Sequence, residues 1–325
     1  MHKDSTHDWP LSLTGVSAAA ERARAAAVAA VQSPAPALII GDRGMDAEAI
    51  ARAIHARSRP GAPLMVVDCG SGDAAGIDRV LFGTRPRGEV RAGLDTLGAS
   101  SAILRARAGT LYLKQIVDLP AAAQRRLARI LRDQEVSARG RRVAIRGRII
   151  ADAPPSIAVS VDDGHFRADL FRRLSPVCIA VPALRERPED IPSFVIRLAA
   201  ELRGGEPPAF TQAALTVLSA PAWPGNIDEL RVLVDRVLSA APGRSIQQED
   251  VLALLPIAGA FARIVPGVSL REARRQFERD YIASVLERHR WRMSEAARTL
   301  GIERANLYRK TRQLGIRRAG APLAS

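Results

Sequence analysis

The chain has 325 residues, 48 Lys and Arg against 34 Asp and Glu, and a formal charge of +14. That length accommodates two or three domains, and 47% apolar residues suffice for real cores. Cys69 and Cys178 are too few and too far apart for a disulfide framework or a zinc-ligand spacing. No run of 18 apolar residues and no signal-peptide h-region is present, so a cytoplasmic protein with no membrane partner is expected.

In chain order, residues 1–12 read as a loose leader. The Ala-rich stretch from Ser17 to Gln32 reads as a helix, ended by Ser33-Pro34-Ala35-Pro36. Ala37–Ile40 is a short buried strand closed by Gly41, and Ala47–Ala56 is a helix. Strand, glycine loop and helix form the opening of a phosphate-binding α/β unit. Further strands are expected at Leu64–Asp68, Thr110–Leu113, Val143–Ala151 and Val177–Val181, with a helix at Ala121–Asp133. The alternation predicts a mostly parallel sheet covered on both faces. From Ile191 the strand signals stop. Helices at Ile191–Leu202, Thr211–Ser219, Ile227–Ala240 and Gln248–Leu254 predict a small all-helical lid.

Pro256–Val268 is punctuated by Gly and Pro and reads as a linker. A helix from about Leu270 to Arg288 carries Phe277, Tyr281, Ile282, Val285 and Leu286 on one stripe, a dimer seam or packing within its own domain. Ser294–Ile316 then has the grammar of a helix-turn-helix. Ser294 is the expected N-cap of a helix bearing Ala296, Ala297 and Leu300, Gly301 the turn, and Ile302 the plug between helices. The second helix, about Glu303 to Gln313, turns Leu307 and Leu314 inward. It leaves Arg304, Asn306, Tyr308, Arg309, Lys310 and Arg312 on its other faces, donors and cations of the kind that base edges and phosphates require. From Leu270 onward 14 Arg and Lys stand against 6 Asp and Glu, so +8 of the +14 lies in this segment. The asymmetry points to double-stranded DNA as partner, against the alternative of a solvated basic face.

The motifs LTGVS (Leu13–Ser17), LFG (Leu81–Gly83), GTLYL (Gly109–Leu113), FRADLFRRL (Phe166–Leu174), VPALRERPEDIP (Val181–Pro192) and WPGN (Trp223–Asn226) occur in one order. In that order the chain resembles the bacterial enhancer-binding proteins, AAA+ activators of sigma-54 RNA polymerase that end in a Fis-type helix-turn-helix. The resemblance implies an AAA+ P-loop-type parallel sheet at 13–190, a helical lid at 191–256, a linker at 257–269 and an all-α DNA-binding domain at 270–325. With only a dozen residues before Leu13, no receiver domain is expected.

The family's chemistry is not matched. Its phosphate loop GESGTGKE is replaced by GDRGMDAE, Gly41–Glu48. Gly41 and Gly44 remain, Asp46 stands for a glycine, and Ala47 for the lysine that reaches the β- and γ-phosphates. A carboxylate beside a triphosphate is repelled by about 4 kcal/mol per unit-charge pair 4 Å apart at an effective dielectric of 20. The family's LFLDEI reads LYLKQI, placing Lys114 at the metal ligand and Gln115 at the base. The first sensor is replaced around Asp152–Pro154, and Asp228 stands where the second sensor arginine would be. No sigma-contacting GAFTGA hexapeptide occurs in Thr84–Ser100.

A dead ATPase with no cofactor is therefore expected, and the opposite charges of Lys114 and Asp46 predict a salt bridge between them. Arg167 and Arg173 match the family's arginine fingers, or else pair with Asp169, Glu189 or Asp190. By the resemblance, Arg304 reads a base edge and Asn306 an adenine or a phosphate. Tyr308, Arg309, Lys310 and Arg312 contact phosphate, although Tyr308 could instead pack on the first helix. A homodimer or higher oligomer is expected, with RNA polymerase or an active AAA+ relative as further partners.

Overall fold

The computed structural model describes residues 9–84, 94–204, 208–241, 245–255, 279, 282–283, 286, 291–299, 304–314 and 316. Two compact units result, Met1–Val251 and Leu252–Ser325. The expected linker at 257–269, residues 85–93 of the segment lacking the hexapeptide, and Gly301, Ile302 and Glu303 lie outside the described residues. So do the Phe277, Tyr281 and Val285 positions of the stripe.

The first unit is built on a five-stranded parallel sheet of order β2-β4-β7-β1-β8, with β1 Ala37–Ile40, β2 Leu64–Asp68, β4 Thr110–Lys114, β7 Arg148–Ala153 and β8 Val177–Ala180. Leu38, Leu111, Leu113, Ile149, Ile150 and Ala151 are buried, as a sheet covered on both faces requires. Helices α1 (Ala18–Gln32), α2 (Ala47–Ser58), α3 (Ala74–Phe82), α4 (Ala102–Ala106), α5 (Ala121–Asp133), α6 (Ile157–Asp162) and α7 (Ala168–Leu174) accompany it. In α5 the period-3.6 pattern buries Leu127, Ile130 and Leu131 while Arg125, Arg129 and Arg132 stay exposed. Ser17 caps α1 by accepting from the Ala20 N–H, and Asp190 in turn accepts from Val16 N–H, Ser17 N–H and the Ser17 hydroxyl. The LTGVS and RPEDIP motifs are thus two halves of one buried contact.

The expected single strand Val143–Ala151 is two strands in different sheets. β6 (Arg141–Ala144) pairs antiparallel with β5 (Glu135–Ala138), which also pairs with β3 (Thr96–Leu97), whereas β7 enters the main sheet. The hairpin turns at Arg139 and Gly140, both at positive φ (50° and 68°), the geometry of a two-residue turn. The lid follows as α8 (Ile191–Arg203), α9 (Gln212–Ser219), α10 (Asn226–Ala240) and α11 (Gln248–Leu254), with Phe194, Leu198, Leu230 and Val234 buried.

In the second unit α12 (Met293–Thr299) and α13 (Arg304–Gln313) enclose a core of Ile282, Leu286, Ala296, Ala297 and Leu307, with Leu314 packed against it. Helix α12 begins at Met293, so Ser294 lies in its first turn and is not its cap. The Ala296 N–H already bonds the Arg292 carbonyl, which starts the helix before Ser294. Among the described residues no helix is long and apolar enough to cross a membrane.

Candidate functional sites

The carboxyl ends of β1, β4 and β7 open on a cavity of about 550 Å³ lined by the Gly41–Ala49 loop, Lys114, Gln115, Asp152 and Asp228. Gly44, at φ +79°, lies so close to the Gly225 carbonyl that a Cβ would overlap it. The loop is held by the lid. Asn226 is fully buried; its Nδ2 donates to the Arg43 carbonyl (2.9 Å), and its Oδ1 accepts from the Leu184 N–H (3.0 Å). The Asp228 N–H adds a bond to the Gly44 carbonyl at 3.3 Å.

Asp46 keeps the left-handed backbone (φ 51°, ψ 51°) that a short polar residue tolerates. Its carboxylate accepts from the Ala49 N–H at 3.2 Å, so the helix N-terminus that would receive phosphate is capped by an internal anion. The expected Lys114–Asp46 pair is not formed. Lys114 instead reaches Glu48, Nζ to Oε2 3.7 Å, and Glu48 is also bound by Arg52 at 2.7 Å. The reason is local: capping turns Asp46 toward its own helix, while Glu48 lies on the first turn with Lys114 in reach. Gln115 is also left-handed (φ 53°), and its N–H donates to Asp152 Oδ1, as does the Tyr112 hydroxyl at 2.7 Å. Burial pushes the Asp152 carboxyl above the usual range, against the pull of those two donors. Six carboxylates (Asp42, Asp46, Glu48, Asp118, Asp152, Asp228) line the cavity against Arg43, Arg52 and Lys114.

In this donor set Ala47 offers no charge, Lys114 brings a cation to the end of β4, and the lining carboxylates outnumber the lining cations, an arrangement less favourable to polyphosphate than one rich in cations.

Arg167 pairs with Asp169 through two bonds of 2.9 Å, the local alternative to a finger, on an exposed surface where such a pair is weak. Arg173 lies in the last turn of α7 and forms no ion pair within 4 Å among the described residues, although its charge acts on Asp133.

On α13, Leu307 is buried, and Arg304, Tyr308 and Arg309 are exposed. The Arg304 guanidinium lies 5.7 Å from the Tyr308 ring centre, and Arg309 donates to Asn306 Oδ1 at 3.1 Å. Tyr308 is 49% exposed and stands outside the buried cluster of this unit. Lys310 is half-buried; Arg312 belongs to the helix, but its side chain lies outside the described residues.

Residues 13–180 match the Sigma-54 interaction domain, 185–256 the AAA+ ATPase lid domain and 273–318 the Fis family of bacterial regulatory proteins. The chain belongs to the sigma-54 interaction domain family. Its relatives include the nitrogen assimilation regulatory protein NtrX of Azorhizobium caulinodans, 34% identical over 322 residues, covering 94% of this chain and 70% of NtrX. The transcriptional regulatory protein ZraR of Escherichia coli K12 is 35% identical over 286 residues, 86% of this chain and 63% of ZraR. The crystal structure of NtrX from Brucella abortus superposes with a TM-score of 0.63 at 33% identity, covering 94% of this chain and 70% of that one. The same Brucella protein has been crystallised in complex with ADP and with ATP.

This sigma-54 family member is thus a transcriptional regulator of the AAA+ ATPase class with a Fis-type DNA-binding module. Sequence reasoning used Asn226 only as a motif marker and missed Glu48, Arg52 and the Tyr112–Asp152 bond. Of these, Asn226 had a signal, since a polar residue directly after Pro-Gly at a helix start is suited to bridging backbone groups.

Proposed function

We propose that this chain regulates transcription by occupying DNA through α12 and α13, while its AAA+ unit serves oligomerisation or partner docking without turning over ATP. The observation that carries the reading is the Lys114–Glu48–Arg52 cluster across the site where phosphate and metal would lie, beside Ala47. Neither a metal ligand nor a base stands at 114 and 115, so no group there activates water. The test is phosphate release from ATP, with and without duplex DNA. Release at the buffer blank is expected, and release above it overturns the reading. Restoring Ala47→Lys alone should leave turnover at the blank, because Lys114 and Gln115 still lack the metal and base functions.

A second reading, weak nucleotide binding with residual sigma-54 activation, is favoured by the retained cavity and by the ADP and ATP complexes of Brucella NtrX. Equilibrium binding of a fluorescent ATP analogue separates it from the first. Arg173 also permits a role in mixed rings with an active relative. An unchanged ATP turnover of that relative on mixing counts against it.

For the DNA module, Arg304→Ala should cost about 1–3 kcal/mol of specific binding and relax preference at one base position. Lys310→Ala should weaken all sequences alike and reduce the salt slope by about one. Both are read by fluorescence anisotropy on matched and scrambled duplexes, and unchanged site preference in Arg304→Ala removes that residue from base readout.

A further inference from the structure

The edge of the parallel sheet opposite the carboxylate-lined cavity is strongly basic. Strands β2, β4 and β7 are neighbours in register, with Leu64 beside Thr110 and Thr110 beside Arg148, so the three connections entering them share one edge. The segments leading into them, residues 56–63, 98–109 and the hairpin with its exit at 135–147, contain eight arginines against one acid, Glu135. Arg57 lies over the Trp9 ring, and Arg142 pairs with Glu135 of the hairpin. The remaining six, Arg59, Arg105, Arg107, Arg139, Arg141 and Arg146, form no ion pair among the described residues, and all but Arg59 are exposed.

Arg59 binds the three connections together. Its Nη1 donates to the carbonyls of Ala108, Gly109 (3.1 Å) and Arg146 (3.2 Å). Behind them Arg148 is buried, donating to the Ala30 and Ala35 carbonyls; burial and the nearby Arg59 charge lower its pKa to about 10. Among the described residues its Nη2 has no hydrogen-bond partner. A folded surface that gathers guanidinium groups this way, with Glu135 the one carboxylate in the three segments, is self-repulsive until a polyanion neutralises it. Guanidinium forks match phosphate oxygens, and the chain already carries a module for duplex DNA.

We infer that this edge of the α/β unit is a second DNA surface, contacting the phosphate backbone without regard to sequence. The inference takes DNA as the available polyanion from the reading of α12 and α13. It does not require those helices to make the contact.

The test uses the full chain and a duplex of unrelated sequence, with affinity measured across a salt series. Arg105→Gln/Arg107→Gln/Arg146→Gln should reduce the slope of log K against log salt by about 2–3, since each phosphate contact contributes about 0.9. The same reduction is expected when Arg304→Ala and Lys310→Ala are also present. A charge-matched control, Arg22→Gln/Arg172→Gln/Arg236→Gln on α1, α7 and α10, should leave the slope within about 0.5 of the original, under one phosphate contact. An unchanged slope in the edge variant, or an equal drop in the control, overturns the inference while leaving the α13 reading intact. Lost site preference in Arg304→Ala bears only on α13. Photo-crosslinking of the unaltered chain to DNA, mapped by mass spectrometry, is independent of folding in the variants. Crosslinks in 98–109 or 136–147 support the surface, and crosslinks confined to the C-terminal unit overturn it.

Discussion

Replacing Arg126 by alanine should destabilise the α/β unit by about 3–5 kcal/mol, the usual cost of removing one partner from a buried charge pair. Arg126 extends from α5 into a three-way junction. Its Nη1 binds both oxygens of Asp78 on α3 (2.8 and 3.0 Å), and Nε and Nη2 bind Asp95 (3.2 and 2.8 Å). Nη2 also donates to the Thr96 carbonyl at 3.2 Å, while the guanidinium stacks 3.9 Å over Phe82. The Asp95 side chain is only 7% exposed, whereas that of Asp78 is 41% exposed. The loss therefore comes from Asp95, left charged and dry, and little of it from Asp78. Arg126→Lys should recover only part, because an ammonium cannot bind two carboxylates and stack at once. Urea unfolding read by circular dichroism measures the effect, and a loss under about 1 kcal/mol would place Asp95 in contact with water.

Asn226→Ala should have a comparable effect and should act on the loop of the candidate site. Removing the amide orphans the buried Leu184 N–H at about 1–3 kcal/mol, and adds less for the Arg43 carbonyl, whose residue is exposed to water. Alanine at φ 51° adds about 1–2 kcal/mol of left-handed strain that Asn tolerates better. Asn226→Gly removes the strain and keeps both orphaned groups, so the gap between the two variants isolates the backbone contribution. Asn226→Asp preserves the acceptor for Leu184 but sets a charge against the Arg43 carbonyl. Hydrogen exchange at the Leu184 amide is the direct readout. Protection equal to that of the unaltered chain in Asn226→Ala would show that the amide is not what closes the loop.

Much of the main sheet was legible because its strands are short apolar runs bounded by Gly, Pro or Asp. Leu64–Asp68 and Ala121–Asp133 have the ends that periodicity predicts. The Val143–Ala151 run reads as one strand because propensity cannot see which sheet a residue joins. Ile145, Arg146 and Gly147 form the break, and the Glu135–Ala144 hairpin has a signal in its Arg139-Gly140 turn between two alternating stretches. Residue type alone makes Ser294 a cap, whereas the helix starts one residue before it.

At the candidate site, what is missing could be read from single letters: Ala47, Lys114, Gln115 and Asp228 each stand where the resemblance calls for another chemistry. Residue identity alone decides whether a charge or a base is available. Which charges meet is a matter of tertiary distance and capping, and one-dimensional spacing does not contain it. Hence Lys114 pairs with Glu48 while Asp46 serves its own helix, and Asn226 joins two segments far apart in the chain. The same holds for the basic edge. Its arginines are scattered over about 90 residues of sequence, and only the parallel register of β2, β4 and β7 brings their connections side by side.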